Sequence, residues 1–185
     1  GRTSPGVAYH LYTQAQFNRL DKITRPEILT YDLTSTVLEV MSMPGRDSVS
    51  HVRSFLEDMF DPPSETSIQS ALRTLHSVGA ITSTQPSGTR NLFGRAMSIF
   101  RSPITVCQSK SLLLSVYYNC SREMADIVAL CQALQGRSLP DKMLDDNRKP
   151  VHTRLLSKFG DHLTMLHAYQ QYTTSRDKYH FCRKH

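Results

Sequence analysis

The chain has 185 residues, enough for one medium domain or two small ones packed together. Hydrophobic residues make up 39% and charged residues 21%, which allows a buried core and excludes wholesale disorder. Lys and Arg outnumber Asp and Glu by 22 to 16, a formal charge of +6, and this favours a polyanionic partner such as nucleic acid over an acidic role; a protein that is merely basic is the alternative. No apolar run approaches the ~18 residues that would span a bilayer. The four cysteines, Cys107, Cys120, Cys131 and Cys182, form no C-x-x-C pair, and no signal peptide is visible, so reduced thiols in a cytosolic or nuclear protein are expected. Gly1-Arg2-Thr3-Ser4-Pro5-Gly6 has neither an initiator Met nor an apolar leader, and reads as a cut into a longer chain or the remnant of a tag.

In chain order, residues 7–12 alternate weakly and suggest a short strand, and 14–20 suggest one or two helical turns. Pro26 suits a first helical turn. Leu29, Leu33, Val37, Leu38 and Met41 then recur at the spacing of one buried helical face, closed by Pro44-Gly45. Ser48 can cap a helix whose stripe is Val49, Val52, Phe55, Leu56 and Met59. Asp61-Pro62-Pro63 forces a turn. Ser64 can cap a third helix with Ile68, Leu72, Leu75 and Val78 inward, and Gly79 stands where a helix end requires a positive φ. Two short strands around Gln85-Pro86-Ser87-Gly88 would make a hairpin. Three helices and a hairpin are the order of a winged helix.

Helical spacing resumes over 92–100. Pro103 breaks it and can open a helix over 104–118; Ser121 can cap another over 122–135. Residues 136–150 read as a polar loop. Two helices, over 151–159 and 161–172, and a basic tail over 176–185 complete the chain. The fold class expected is therefore mainly α: a winged-helix domain with a short β-hairpin, followed by a helical bundle.

The sequence holds no G-x-x-x-x-G-K-[ST] phosphate loop, no G-x-S-x-G elbow and no H-E-x-x-H helix. His162 with His167, and His180 with Cys182, are too few and too loosely spaced for a metal, and none is expected. Asp145-Asp146 lacks a partner motif and reads as a solvated pair. Basic residues are the stronger feature. Arg90 and Arg95 flank the hairpin; Arg148, Lys149, Arg154 and Lys158 run into the penultimate helix; Arg176, Lys178, Arg183 and Lys184 follow the last one. Arg154 and Lys158, four apart, would share a helix face able to meet phosphates, or simply face solvent. Tyr169 and Tyr172, three apart, offer either a stacking surface for bases or core packing.

Several stretches together resemble one family, the DEAH-box ATP-dependent RNA helicases. Gly1-Arg2, Ser4-Pro5-Gly6, Leu11-Tyr12-Thr13 and Phe17 are similar to the segment that leaves the second RecA-like motor domain. Pro26-Glu27-Ile28-Leu29 with Leu33, Ser35 and Val37-Leu38 resembles the first winged-helix helix. Phe60-Asp61-Pro62-Pro63 with Ala71-Leu72, Leu75 and Gly79-Ala80-Ile81 resembles the following pair. Gly94-Arg95, Met97 and Phe100, then Cys120, Glu123 and Ile127, resemble the start of the family's ratchet bundle. Gly160-Asp161-His162-Leu163-Thr164 with Leu166 and Tyr169 resembles its late helix, and Phe181-Cys182 the pair beyond.

The resemblance implies residues 1–22 as the end of a RecA-like domain and its linker, 23–91 as a winged helix, and 92–185 as a ratchet-like bundle. It implies a parent enzyme that uses ATP and Mg in motor domains and moves single-stranded RNA through a channel closed by the ratchet and an oligonucleotide-binding barrel. Splicing or ribosome biogenesis would be its task, in the nucleus, with nucleolus or cytoplasm as alternatives. This chain alone would bind no cofactor, hydrolyse no ATP and touch no membrane. Arg2, if native, matches the last ATP-sensing arginine of the motor. RNA contacts would fall to Gln132, Arg154, Lys158, Asp161, His162 and Thr164. Where the family usually reads Leu-Ser, this chain has Cys131-Gln132; Thr30, Asp32 and Arg101-Ser102 also depart from its pattern. The alternative function is a non-catalytic interaction module that seats a partner helix, such as a G-patch-type activator, on Leu33, Val37 and Met41. A DNA-binding winged helix ranks last, because Arg73 is the one full positive charge between Ser64 and Val78.

Overall fold

The computed structural model describes residues 3–7, 9–21, 24–100, 102–134 and 155–184. Among them the architecture is all-helical, with no strand. The loop at 136–150 and the start of the expected helix over 151–159 lie outside the described residues.

The first part of the chain makes little regular structure. A single turn, α1 (Gln14–Phe17), is held by a capping box between Thr13 and Gln16. The strand expected over 7–12 does not form: its described residues are irregular, and Val7, Tyr9 and Leu11 stand in solvent. A strand needs a neighbour for its backbone N–H and C=O groups, and none of the described residues provides one.

The expected helix from residue 28 is split. Glu27–Leu29 form a 3-10 turn after Pro26, and α2 (Thr34–Ser42) begins only after a break. Asp32 restarts the helix: its carboxylate accepts from both the N–H and the hydroxyl of Thr34, at 3.3 and 2.7 Å. α3 (Val49–Glu57) and α4 (Glu65–Ser77) start at the expected caps, where the Ser48 and Ser64 hydroxyls accept from the N–H groups of His51 and Ser67. Gly45 and Gly79 take φ of 75° and 80° behind α2 and α4, the left-handed conformation a helix end uses most cheaply in glycine.

These three helices share one core. Val37, Leu38 and Met41 from α2 meet Val52 and Leu56 from α3 and Leu72 and Leu75 from α4, all essentially excluded from solvent. Each inward side chain of this size is stabilised by about 1.5–3 kcal/mol on burial.

The hairpin expected around 85–88 is not built as strands. The chain does reverse there, but pairing is limited to isolated bridges, Ile81 with Arg90 and Ser48 with Thr89. The Thr82 N–H donates to the Thr89 C=O at 2.9 Å, while the Thr89 N–H turns to the Thr82 hydroxyl at 3.0 Å. That side-chain capture removes the reciprocal backbone bond a ladder needs. The reversal is tied instead to α3, through Val49 N–H to the Gly88 C=O and Ser50 N–H to the Pro86 C=O.

Asn91 caps α5 (Leu92–Met97) and also donates to the Gly79 C=O at 2.8 Å, so one amide joins the end of α4 to the start of α5. A side chain at Gly94 would place its Cβ 1.9 Å from the Ala80 carbonyl oxygen, so only glycine fits. α6 (Val106–Tyr117) begins at a Thr105–Gln108 capping box, α7 (Ser121–Leu134) follows, and α8 (Asp161–Thr174) packs on α7.

Two expectations for the C-terminal part are corrected. Residues 155–159 form a turn rather than the end of a helix. The basic tail instead contains a helix, α9 (Lys178–Lys184), whose Phe181 packs beside Leu155, Leu156 and Ala168 and meets the Tyr172 ring edge-on.

Candidate nucleic-acid interface

Of the residues expected to contact RNA, Gln132 lies at the C-terminal end of α7, and Asp161 and His162 lie at the N-terminal end of α8, which packs on α7. Gln132, on the last turns of α7, donates its Nε2–H to Oε1 of Gln108 at 2.8 Å. The same oxygen accepts from the Thr105 N–H at 2.9 Å, so the amide pair ties α7 to the N-cap of α6. A half-buried Gln132 engaged this way braces the site as well as facing it.

Beside this pair lies a cavity of about 260 Å³. Cys107, Gln108 and Ser111 of α6, Met124, Ile127 and Cys131 of α7, and His162 of α8 line it. Its lining is mainly apolar and includes an amide, a hydroxyl, two thiols and an imidazole. Such a surface suits a flat, polar-edged group like a nucleobase. His162 and Asp161 are exposed on the first turn of α8, where the carboxylate favours the helix dipole and, by its charge, disfavours a phosphate.

Thr164 is not a surface contact: it is 2% exposed. Its hydroxyl donates to the Gly160 C=O at 3.1 Å and accepts from the Ser157 N–H at 2.9 Å. It therefore locks the turn that leads into α8 through Gly160, whose φ of 111° excludes most other residues. Lys158 stands exposed on that turn, not on a helix face as expected, its Nζ 5.0 Å above the Phe159 ring. Arg154 and Arg2 lie outside the described residues. Arg2, Gln132, Arg154, Lys158, Asp161, His162 and Thr164 thus divide into two undescribed residues, two that brace the site, and three on its surface.

The expected partner-seating residues occupy the interior. Leu33 is 3% exposed and Val37 and Met41 are 0% exposed, so a docking helix cannot reach them. A stripe at helical spacing reports burial without saying what buries it, and here α3 and α4 do so.

A second depression, of about 460 Å³, opens further along the α7–α8 seam between Arg122, Glu123 and Asp126 on one side and Tyr169, Gln170 and Thr173 on the other. The two tyrosines paired by spacing separate in function. Tyr169 borders this opening, whereas Tyr172 is half-buried against Phe181 with the Lys178 ammonium 4.8 Å from its ring. Lys178 also donates to the Tyr172 and Thr173 carbonyls at the end of α8, so it caps a helix. Arg122 borders the opening opposite Tyr169; nothing in its local sequence marks it.

Arg90 and Arg95 differ as well. Arg95 is exposed, while Arg90 is half-buried, donating from Nη1 to the Ser98 hydroxyl at 2.9 Å and leaving a buried Nε without a partner. Burial disfavours the Arg90 charge most, nearby Arg95 adds to that, and Asp47 opposes both; its pKa is lowered. Among the described residues no cluster of three metal-ligating side chains occurs, and no helix is long and apolar enough to cross a membrane.

Helical among its described residues, basic, and without a phosphate loop, the chain is similar along its whole length to part of the DEAH-box ATP-dependent RNA helicases. Over its whole length it is 29% identical to the ATP-dependent RNA helicase DHX33 of Mus musculus, of which it spans 25%. It is 32% identical, over 92% of its length, to 22% of the pre-mRNA-splicing factor ATP-dependent RNA helicase DEAH10 of Arabidopsis thaliana. Its whole length is 30% identical to 15% of the pre-mRNA-splicing factor ATP-dependent RNA helicase prp22 of Schizosaccharomyces pombe. The chain therefore spans about a quarter of the length of the first of these relatives, and no family model matches it.

Proposed function

We propose that the chain is the winged-helix and ratchet portion of a DEAH-box RNA helicase, and that the α6–α7–α8 end forms part of the wall of its single-stranded RNA channel. Residues 23–91 are the winged helix, 92–185 the ratchet, and 1–22 the exit from the second RecA-like domain. The observation that carries this is the end-to-end match with helicases that are four or more times longer. Gln108 and His162 on one cavity, with Gln132 holding the Gln108 amide, support it. ATP and Mg serve motor domains elsewhere in the parent enzyme, which remodels RNA in splicing or ribosome biogenesis, in the nucleus. The docking alternative lacks equal support, since Leu33, Val37 and Met41 are interior.

The purified chain should hydrolyse no ATP and should bind an oligouridylate weakly, read by fluorescence anisotropy. Affinity should fall with salt, and Lys158→Ala should flatten the log–log slope by roughly 0.7, the value for one contact to single-stranded nucleic acid. His162→Ala should weaken binding without moving the slope. ATP turnover by the chain, or RNA affinity indifferent to salt and to both substitutions, would refute the assignment.

A further inference from the structure

We propose that Ser98 is a phosphorylation site for an arginine-directed serine kinase, and that Arg90 receives the phosphate. Ser98 ends α5, half-buried, with its Oγ donating to the Arg95 C=O at 2.8 Å and accepting from Arg90 Nη1 at 2.9 Å. Arg95 lies three residues before it and Ile99 one after, and both are exposed; Ile99 is 76% exposed, which packing does not explain. A guanidinium at that distance and an apolar neighbour are what an acidic kinase cleft with an adjoining apolar pocket reads. α5 is six residues long and its Met97 is buried, so the kinase reaches Ser98 when the last turn of this short helix opens, the kind of local unfolding that short elements permit.

The receiving side is already built. Arg90 carries a desolvated charge and an unpartnered buried Nε, and faces Arg95 with Asp47 as counterweight. A phosphate on Ser98 supplies acceptor oxygens to Nη1 and Nε and sets a dianion against two cations. Ser98 also borders a cavity of about 140 Å³ with the hydroxyls of Ser35, Thr36, Ser102 and Ser109. Glu39 borders the same cavity and repels the phosphate, turning it toward Arg90. The dipole at the end of α5 opposes a dianion, but falls off within a turn and is outweighed by two guanidinium groups. In the transfer, Ser98 Oγ bonds to the γ-phosphorus of ATP, the bond to the β,γ-bridging oxygen breaks, the hydroxyl proton passes to the kinase's base, and ADP leaves.

The test is incubation of the full chain with ATP and the catalytic subunit of cyclic-AMP-dependent protein kinase, with sites read by tandem mass spectrometry. Arg154-Leu155-Leu156-Ser157 repeats the arginine spacing but is followed by Lys158, and serves as an internal comparison. Phosphate is expected on Ser98 ahead of Ser157, with the Ser98 site lost in both Ser98→Ala and Arg95→Ala. Arg90→Leu should still be phosphorylated. Phosphorylation should raise the thermal midpoint of the parent and lower that of Arg90→Leu. Should Ser98→Ala fail to fold, Arg95→Ala, which alters an exposed side chain, carries the same test. Phosphate absent from Ser98 or favouring Ser157, or an equal midpoint shift with and without Arg90, would overturn the proposal.

Discussion

The helices on either side of α5 are held by different forces. Before it, α2, α3 and α4 close around a contiguous apolar core in which Val37, Met41, Val52, Leu56, Leu72 and Leu75 are removed from water. After it, among the described residues, buried apolar side chains are fewer, such as Val128, Leu155 and Leu166, and cohesion leans on hydrogen bonds: Gln132 to Gln108, Thr164 to its turn, Lys178 to the end of α8. Apolar packing is insensitive to direction, so the first region tolerates rearranged partners. Hydrogen bonds hold only at fixed geometry, so the second can keep a binding surface in register while remaining easier to open.

The largest effect that separates the two regions should come from leucine truncation. Leu72→Ala should cost about 2–5 kcal/mol, the usual range for a filled interior site. Leu163→Ala on α8, where the side chain is 40% exposed, should cost less than about 1 kcal/mol. Urea denaturation checks both, and equal losses would break the contrast.

Next is Thr164→Val, which keeps the shape and removes the hydroxyl. The Ser157 N–H then loses its partner, while the Gly160 C=O keeps the Thr164 N–H, at a cost of about 1–3 kcal/mol. Hydrogen exchange should accelerate at Ser157 while the α2–α4 core stays protected, and Thr164→Ser should restore the turn. Faster exchange in the core as well would mean that the regions unfold together.

The smallest effect belongs to the Arg53–Glu65 ion pair that joins α3 to α4, with Gln69 as a further partner of Arg53. Glu65 is well exposed, so Glu65→Gln should cost about 0.2–1 kcal/mol, less at high salt. A larger, salt-independent loss would show that the first region too depends on polar geometry.

What the amino-acid order revealed follows the range of the forces involved. The caps at Ser48 and Ser64 and the turn at Gly79 were legible because each is settled within four residues. The stripe on α2 was legible as apolar but not as occupied, since its cover comes from residues up to about forty positions away. The reversal at 82–89 looked like a hairpin because Pro86-Ser87-Gly88 are turn residues between two short segments, yet the Thr82 side chain intercepts the rung a ladder would need. Basic residues at both ends hid α9, whose anchoring aromatic is Phe181. At the candidate interface, the bracing roles of Gln132 and Thr164 depend on partners in other elements or turns that spacing does not specify.

Gly94 and the Ala80 oxygen meet with no room for even a methyl group. Together with the Asn91 amide on Gly79, that makes the start of α5 a joint without clearance: α5 cannot swivel against α4 without collision or a severed bond. α6 also enters the α2–α4 core, with Val106 buried in it and Leu113 packed against it, so torque applied to α8 would reach that body through two routes, the direct apolar contact of α6 and the stiff joint at α5.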